Sequence, residues 1–309
     1  MSLETLAIDR SVAAVFPPAE LLDDLDDLPI ETTVVDGSEA TFDAETGVVT
    51  LTYRDAYLDA AWVHSIQAGV DRFPFDRFRE AGVPLTNSAG IHGDAIGETV
   101  AGYVLAFARR LHEHVANQQH ADWSPPEWDE AWTVAGERAC VVGLGGLGRG
   151  IVDRLTGLGL DVDGVRRTPT PEPGVEQVYT PANLETAVED ARFVALAVPL
   201  TDETRHLIDG DVLSAMRDDA YLLNVARGDV VDQPALVDVL ERGAIAGAAL
   251  DVFETEPLPE SSPLWEMDEV IVSPHCGAFT REYHRHIAAL VRENVTRLRD
   301  DEEPANRVV

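Results

Sequence analysis

At 309 residues the chain is long enough for two domains with cores of their own, and its 45% apolar content opposes disorder. Its formal charge is −33, from 56 acidic side chains against 23 basic ones, and every basic one is an arginine. That excess repels phosphate backbones and excludes nucleic acid as a partner, while the absence of any apolar run of membrane-spanning length argues against a transmembrane protein.

Thr5-Leu6-Ala7-Ile8 reads as a first strand, and Pro17-Pro18 opens a helix through Glu20-Leu21-Leu22 to Leu28. Asp23-Asp24 and Asp26-Asp27 on that helix are the densest acids and read as a solvated face. Thr32 to Val35 and Val48 to Tyr53 alternate or run apolar as strands do, and Trp62 to Ile66 is another strand. The turn Gln67-Ala68-Gly69-Val70-Asp71 follows it. Small residues there serve either a plain connection or, through free amides, an anion site. Val83 to Asn87 is a short strand, and from Asp94 a helical pattern runs through Val100, Leu105, Phe107 and Leu111, expected to bridge two domains. Asn117 to Trp132 is irregular; its Trp123, Trp128 and Trp132 either pack on the adjoining domain or cover a subunit interface.

Val141-Val142-Gly143-Leu144-Gly145-Gly146-Leu147-Gly148 organises the rest. An apolar strand from Arg138 enters a G-x-G-x-x-G turn, in which Gly143 turns the chain, Gly145 admits a pyrophosphate and Gly148 lets helix pack on strand. Ile151, Val152, Leu155 and Leu158 continue as a helix whose first amides bind phosphate, and Leu160 to Val165 starts a second strand. Where an NAD-binding unit carries an acid to grip the ribose 2′-hydroxyl, this chain carries Arg166 and Arg167. Guanidiniums hold a 2′-phosphate, so NADP(H) is the expected cofactor, with NAD(H) second. Cys140 and Cys276, far apart in the chain, read as free thiols of a reducing compartment.

Further strands run from Phe193 to Val198, Tyr221 to Val225, Ile245 to Leu250 and Val270 to Val272. Each ends in polar groups: Pro199-Leu200-Thr201, Ala226-Arg227-Gly228, Asp251-Val252-Phe253 and Ser273-Pro274-His275. Strand ends are where open α/β sheets bind ligands. His112 with His114, and His284 with His286, are spaced so that they point to different helix faces, and no catalytic metal is expected.

Together these segments resemble the D-isomer-specific 2-hydroxyacid dehydrogenases. The resemblance rests on Gln67 to Asp71, Gly143 to Gly148, Val198 to Thr201, Asn224 to Gly228, Ala249 to Pro259 and Ser273 to His275, and spans nearly the whole chain. It implies an α/β fold of two doubly wound, Rossmann-like parallel-sheet domains, the first completed by the carboxy-terminal helix, Ala278 to Leu298. Residues 1–98 with 277–309 would form the substrate and catalytic domain, and 99–276 the dinucleotide domain. The resemblance also implies a catalytic set of Arg227, Glu256 and His275. Reduction of a 2-oxo acid delivers hydride to the carbonyl carbon while the oxygen takes a proton, and His275 would be the acid, oriented by Glu256. Arg227 would bind the substrate carboxylate, with amides of Gln67, Ala68 and Gly69. Val198, Pro199, Thr204, Val225, Ala226, Asp251 and Gly277 would join Gly143, Gly145, Gly146, Leu147, Gly148, Arg166 and Arg167 at the cofactor, Asp251 competing with a plain turn role.

The expected protein is thus an NADP(H)-dependent reductase of small 2-oxo acids, giving D-2-hydroxy acids, and a homodimer by analogy. The alternative is a cofactor-sensing regulator of the same fold without turnover. A salt-rich cytosol is the expected setting: at about 1 M salt the screening length falls to roughly 3 Å and the acidic self-repulsion largely vanishes. Met1-Ser2-Leu3-Glu4 has no basic flank or apolar core of a secretion signal.

Overall fold

A computed structural model describes residues 3–309; Met1 and Ser2, which open the first domain and the amino-terminal stretch above, lie outside the described residues. The chain forms two compact units, Met1–Ile91 with Phe279–Val309, and His92–Ala278.

The first unit is a five-stranded parallel sheet. β1 (Thr5–Asp9) sits between β2 (Glu31–Val35) and β3 (Thr46–Thr50), and β4 (Trp62–Ser65) and β5 (Leu85–Thr86) extend the sheet beyond β3. Strands β1, β3 and β4 are buried almost throughout, as expected of parallel strands covered on both faces. The strand read as far as Tyr53 stops at Thr50, because the Thr50 hydroxyl accepts from the Thr52 amide at 3.1 Å and Ser11 Oγ takes the Leu51 amide at 3.1 Å. α1 (Pro18–Asp24) and α2 (Phe75–Ala81) follow β1 and β4, and Gly82, with φ 70°, ends α2.

The second unit begins with α3 (Gly93–Ala108). It lies whole in this unit rather than being cut at residue 98, because its glycines pack on the unit's own helix: a Cβ at Gly93 would lie 2.8 Å from the Gly146 carbonyl, and one at Gly97 would fall on that of Gly150. The pattern read as one helix to Leu111 is two. Arg110, at φ 55° and ion-paired to Glu113, breaks it, and α4 (Leu111–Gln119) occupies the start of the stretch read as irregular. No α4 residue is buried. Trp123 and Trp128 beyond it are 98% and 91% exposed. Trp132 is the exception: the Arg192 guanidinium covers its ring at 3.8 Å.

A seven-stranded parallel sheet forms the rest of this unit, from β6 (Arg138–Val142), β7 (Asp161–Val165), β8 (Val178–Tyr179), β9 (Phe193–Leu196), β10 (Tyr221–Asn224), β11 (Gly247–Leu250) and β12 (Val270–Val272). Its order is β12-β11-β10-β9-β6-β7-β8. Helices α5 (Gly146–Gly157), α6 (Leu184–Val188), α7 (Gly210–Ala215) and α8 (Gln233–Glu241) intervene, α7 and α8 capped by Asp209 and Asp232. One apolar cluster gathers Val142, Val194, Leu222 and Leu250, and the other Val141, Ala195, Leu223 and Ala249, so alternate residues of the same strands fill two cores, one on each face.

The chain then returns to the first unit as α9 (Tyr283–Arg299), which starts later than the Ala278 read from sequence. It buries Ile287, Val291 and Val295, and its polar residues reach the acidic stretch at α1: His284 Nδ1 bonds Asp24 at 2.6 Å and Arg292 pairs with Asp27 at 2.9 Å. Those acids are therefore not all a solvated face; α1 ends at Asp24, and two of the four hold α9.

Among the described residues no group of three or more His, Cys, Asp or Glu is placed to hold a metal ion. No described helix is long and apolar enough to cross a membrane.

Candidate active site

In the seven-stranded sheet the order of connection reverses between β6 and β9, the place where open α/β sheets take ligands. Gly143 leaves β6 at φ 103°, and a Cβ on it would lie 2.5 Å from the Ala197 carbonyl just past β9. Gly148 faces the Gly143 carbonyl so closely that no side chain fits. Gly145 is different: a Cβ there would meet nothing within 4 Å, leaving its backbone open to a ligand. No side chain caps α5, so its first amides and the positive end of its dipole remain for an anion. A crevice of about 420 Å³ opens here, lined by Gly143, Leu144, Gly145, Arg166, Arg167, Val198, Pro199 and Thr204 among others. The open glycine, the uncapped helix and the two guanidiniums fit a dinucleotide with its pyrophosphate at α5. Exposed Gly146 and half-buried Leu147 begin that helix.

A second cluster lies where β10, β11 and β12 end. Buried Asn224 shapes the first loop, its Oδ1 accepting from the Ala226 amide and its Nδ2 donating to the Arg227 carbonyl, both at 3.0 Å. A Cβ on Gly228 would fall on the Phe253 backbone, so only glycine lets the Arg227 loop lie against the Glu256 loop. Glu256 Oε1 accepts from the Phe253 amide at 3.1 Å, and Oε2 lies 2.8 Å from His275 Nδ1. Burial opposes ionisation of Glu256, but the His275 hydrogen bond and charge, the Phe253 amide and the Arg227 charge outweigh it and hold the carboxyl below its usual range. Against that carboxylate Nδ1 carries the shared proton, while Nε2 has no hydrogen-bond partner among the described residues.

His275 stands at φ 52°, a conformation non-glycine residues seldom adopt, and the surroundings over-determine it. Its amide donates to the Asp251 carbonyl at 2.8 Å. The Asp251 carboxylate accepts from Ser273 Oγ at 2.5 Å, the Cys276 amide at 3.0 Å and the Gly277 amide at 2.9 Å. Tyr103 on α3, its phenol pushed up to about 12 by burial, meets Ser273 Oγ at 2.6 Å; since the Ser273 proton is given to Asp251, Tyr103 is the donor. Thr99 Oγ1 donates to the Gly277 carbonyl at 2.7 Å.

This network gives two of the expected cofactor residues a role within the protein itself. Asp251, 2% exposed with both oxygens engaged, anchors the His275 loop. Gly277 makes room for that carboxylate, 2.9 Å from where a Cβ would stand. Val225 and Ala226 are buried and outside the crevice lining, which contains Val198, Pro199 and Thr204. Burial and the Asp251 charge push the Cys276 thiol up, which disfavours a reactive thiolate.

In the first unit, Gln67, Ala68 and Gly69 follow β4 as a turn. The Gln67 amide bonds Ser65 Oγ at 3.3 Å and the Ala68 carbonyl accepts from Asn87 at 2.7 Å, while the amides of Ala68 and Gly69 donate to nothing among the described residues.

Residues 101–277 match the sequence profile of the D-isomer specific 2-hydroxyacid dehydrogenase, NAD binding domain. A glyoxylate reductase of Korarchaeum cryptofilum is 35% identical over 247 residues, 78% of this chain and 73% of that one. The chain belongs to the D-isomer-specific 2-hydroxyacid dehydrogenases. Glyoxylate/hydroxypyruvate reductase B of Escherichia fergusonii is 31% identical over 236 residues, covering 75% of this dehydrogenase and 72% of the relative. The crystal structure of a D-isomer specific 2-hydroxyacid dehydrogenase from Xanthobacter autotrophicus Py2, in complex with NADPH and MES, superposes with a TM-score of 0.81 at 29% identity, covering 100% of this chain and 98% of that one. This dehydrogenase is accordingly a 2-hydroxyacid oxidoreductase with a nicotinamide cofactor.

Sequence reading assigns no site role to Tyr103, Ser273, Asn224, Gly228 or Glu172 of this dehydrogenase, although Asn224, Gly228 and Ser273 stand in the segments that carry the resemblance. Asn224 and Gly228 bracket the Arg227 turn, and a strand-ending Asn two residues before Ala226 was signal enough for the first. Tyr103 lies in a helical repeat that reads as core.

Proposed function

We propose that this protein reduces a small 2-oxo acid to the D-2-hydroxy acid with NADP(H), His275 acting as the acid. The carrying observation is the 2.8 Å pair of His275 Nδ1 with an ionised Glu256, which leaves Nε2 as the one ring nitrogen for substrate. When bound, the reduced nicotinamide supplies the hydride. Nε2–H donates its proton to the ketone oxygen, and in the oxidative direction Nε2 takes the hydroxyl proton back. Arg227 binds the substrate carboxylate and polarises the carbonyl, while Glu256 holds the imidazole in place. Anion binding is the proposed role of Gln67, Ala68 and Gly69, supported by the two unengaged amides.

NADP(H) is supported by Arg166 and Arg167 in the crevice lining and by the NADPH in the Xanthobacter relative. The glyoxylate and hydroxypyruvate reductases among the relatives favour those acids as substrates. The excess of acids supports a concentrated salt medium. A homodimer is supported by α4 and the exposed Trp123 and Trp128, an apolar face without a cover. Sedimentation of wild type and a Trp123→Ser, Trp128→Ser variant in concentrated KCl tests it.

The decisive experiment follows NADPH oxidation in concentrated KCl with glyoxylate, hydroxypyruvate and larger 2-oxo acids. Turnover that disappears in His275→Gln, with dinucleotide affinity retained, supports the reading. No turnover on any acid favours a cofactor-sensing regulator instead.

A further inference from the structure

The corner beyond β7 holds one carboxylate between guanidiniums. Glu172, on the loop from β7 to β8, accepts from Arg166 Nη1 with Oε2 at 3.0 Å and from Arg149 Nε with Oε1 at 2.9 Å. Its side chain is 11% exposed. Arg149 belongs to the first turn of α5 and Arg166 follows β7, so Glu172 ties together the two elements that flank the crevice. Arg166 lines that crevice; Glu172 is not among its lining residues. The carboxylate therefore grips Arg166 without taking the place of a ligand. Adjacent Arg167 is exposed and makes no ion pair among the described residues.

Two guanidiniums brought together without a counter-charge repel, and each long side chain wanders among rotamers. A carboxylate that offers one oxygen to each removes both difficulties and leaves the other Arg166 nitrogens for an incoming anion. We propose that Glu172 is a positioning residue for the 2′-phosphate of NADP(H): by holding Arg166 and Arg149 it presents Arg166 to the crevice and sets discrimination between the phosphorylated and unphosphorylated dinucleotides. The proposal rests on the NADP(H) reading above. Two simpler effects of the same carboxylate make different forecasts. Direct repulsion of a phosphate means that removing Glu172 strengthens binding, and a mere tie for the loop means that it weakens all adenine ligands alike.

The test is calorimetric titration of the full chain, at fixed KCl, with 2′-phospho-ADP-ribose and ADP-ribose. Wild type should prefer the 2′-phosphorylated ligand. Glu172→Gln should lose about tenfold in affinity for it, with ADP-ribose within about twofold of wild type. Glu172→Asp keeps the charge but draws it back by one methylene, and should show a loss of the same sign; it also stands in if Glu172→Gln does not fold. Unchanged, stronger or equally weakened binding of both ligands overturns the proposal alone, provided wild type discriminates. A wild type that binds both equally overturns the NADP(H) reading first, and the proposal with it.

Discussion

At the ends of β10, β11 and β12 nearly every polar group has a protein partner, whereas at the ends of β6 and β7 the crevice is lined by glycine backbone, Thr168 and two guanidiniums, of which Arg166 is ion-paired and Arg167 makes no ion pair among the described residues. The first corner is fixed by hydrogen bonds within partly or fully buried loops. The second is fixed by charge, and charge is screened: the Debye length falls from about 10 Å at 0.1 M salt to about 3 Å at 1 M. The contrast separates two properties of one active site. Geometry for proton transfer rests mostly on the buried hydrogen bonds around Asp251, beside one part-exposed charged pair, and depends less on the medium than dinucleotide choice does.

Substitutions at the two corners break or sharpen that contrast. The largest effect belongs to His275→Gln, which should lower kcat by about 10²–10⁴ while fluorescence titration still reports NADPH binding, equally at low and high KCl. A salt-dependent loss would merge the corners. Asp251→Asn comes next: an amide nitrogen would then face the Cys276 or Gly277 amide, leaving a buried donor unpaired at about 1–3 kcal/mol. kcat should fall about tenfold or more with the KM for NADPH little changed, a split readable from initial rates. Arg166→Asp should shift the preference between NADPH and NADH by at least about tenfold towards NADH, and this effect should shrink as KCl rises. Unchanged discrimination would remove the case for a 2′-phosphate site.

The smallest effect is one of pH. Glu256 is held below its ordinary range in the folded protein, so its pairing with His275 contributes fully above the unfolded carboxyl value near 4.5 and is lost as pH falls through the lowered folded value. Wild type should therefore keep this contribution down to pH 4.5 and weaken only below it. Glu256→Gln should lack that acid-side component in urea unfolding curves taken across pH; a component rising above pH 4.5 would contradict the sign.

Local pattern carries the parts of this molecule that local physics determines. The turn at Gly143, Gly145 and Gly148 is legible because each glycine answers a separate demand within one strand–turn–helix, and the strands are legible because buried parallel strands are continuously apolar. The break between α3 and α4 is not, since Arg110 at φ 55° is a conformation that its residue type does not announce. Nor is the His275 anchor: it needs Asp251, Ser273 and Tyr103, separated widely in sequence, to meet at one loop. Arg227, Glu256 and His275 were named through resemblance. What brings Arg227 beside Glu256 is the glycine after it, whose missing side chain admits the Phe253 backbone. Glu172 sits in a Thr- and Pro-rich loop where nothing periodic marks it.

Where α3 crosses α5 glycine backbones meet directly, with Arg154 of α5 reaching past them to Asp94 and Glu98 of α3. A Cβ on Gly150 would fall on the Gly93 carbonyl, as one on Gly97 would on that of Gly150. Backbone rests on backbone, so neither rod can shift without carrying the other. A single methyl placed at Gly97, on a helix outside the crevice lining, would press on the first half of α5, and α3 thereby becomes a lever on how tightly pyrophosphate is held.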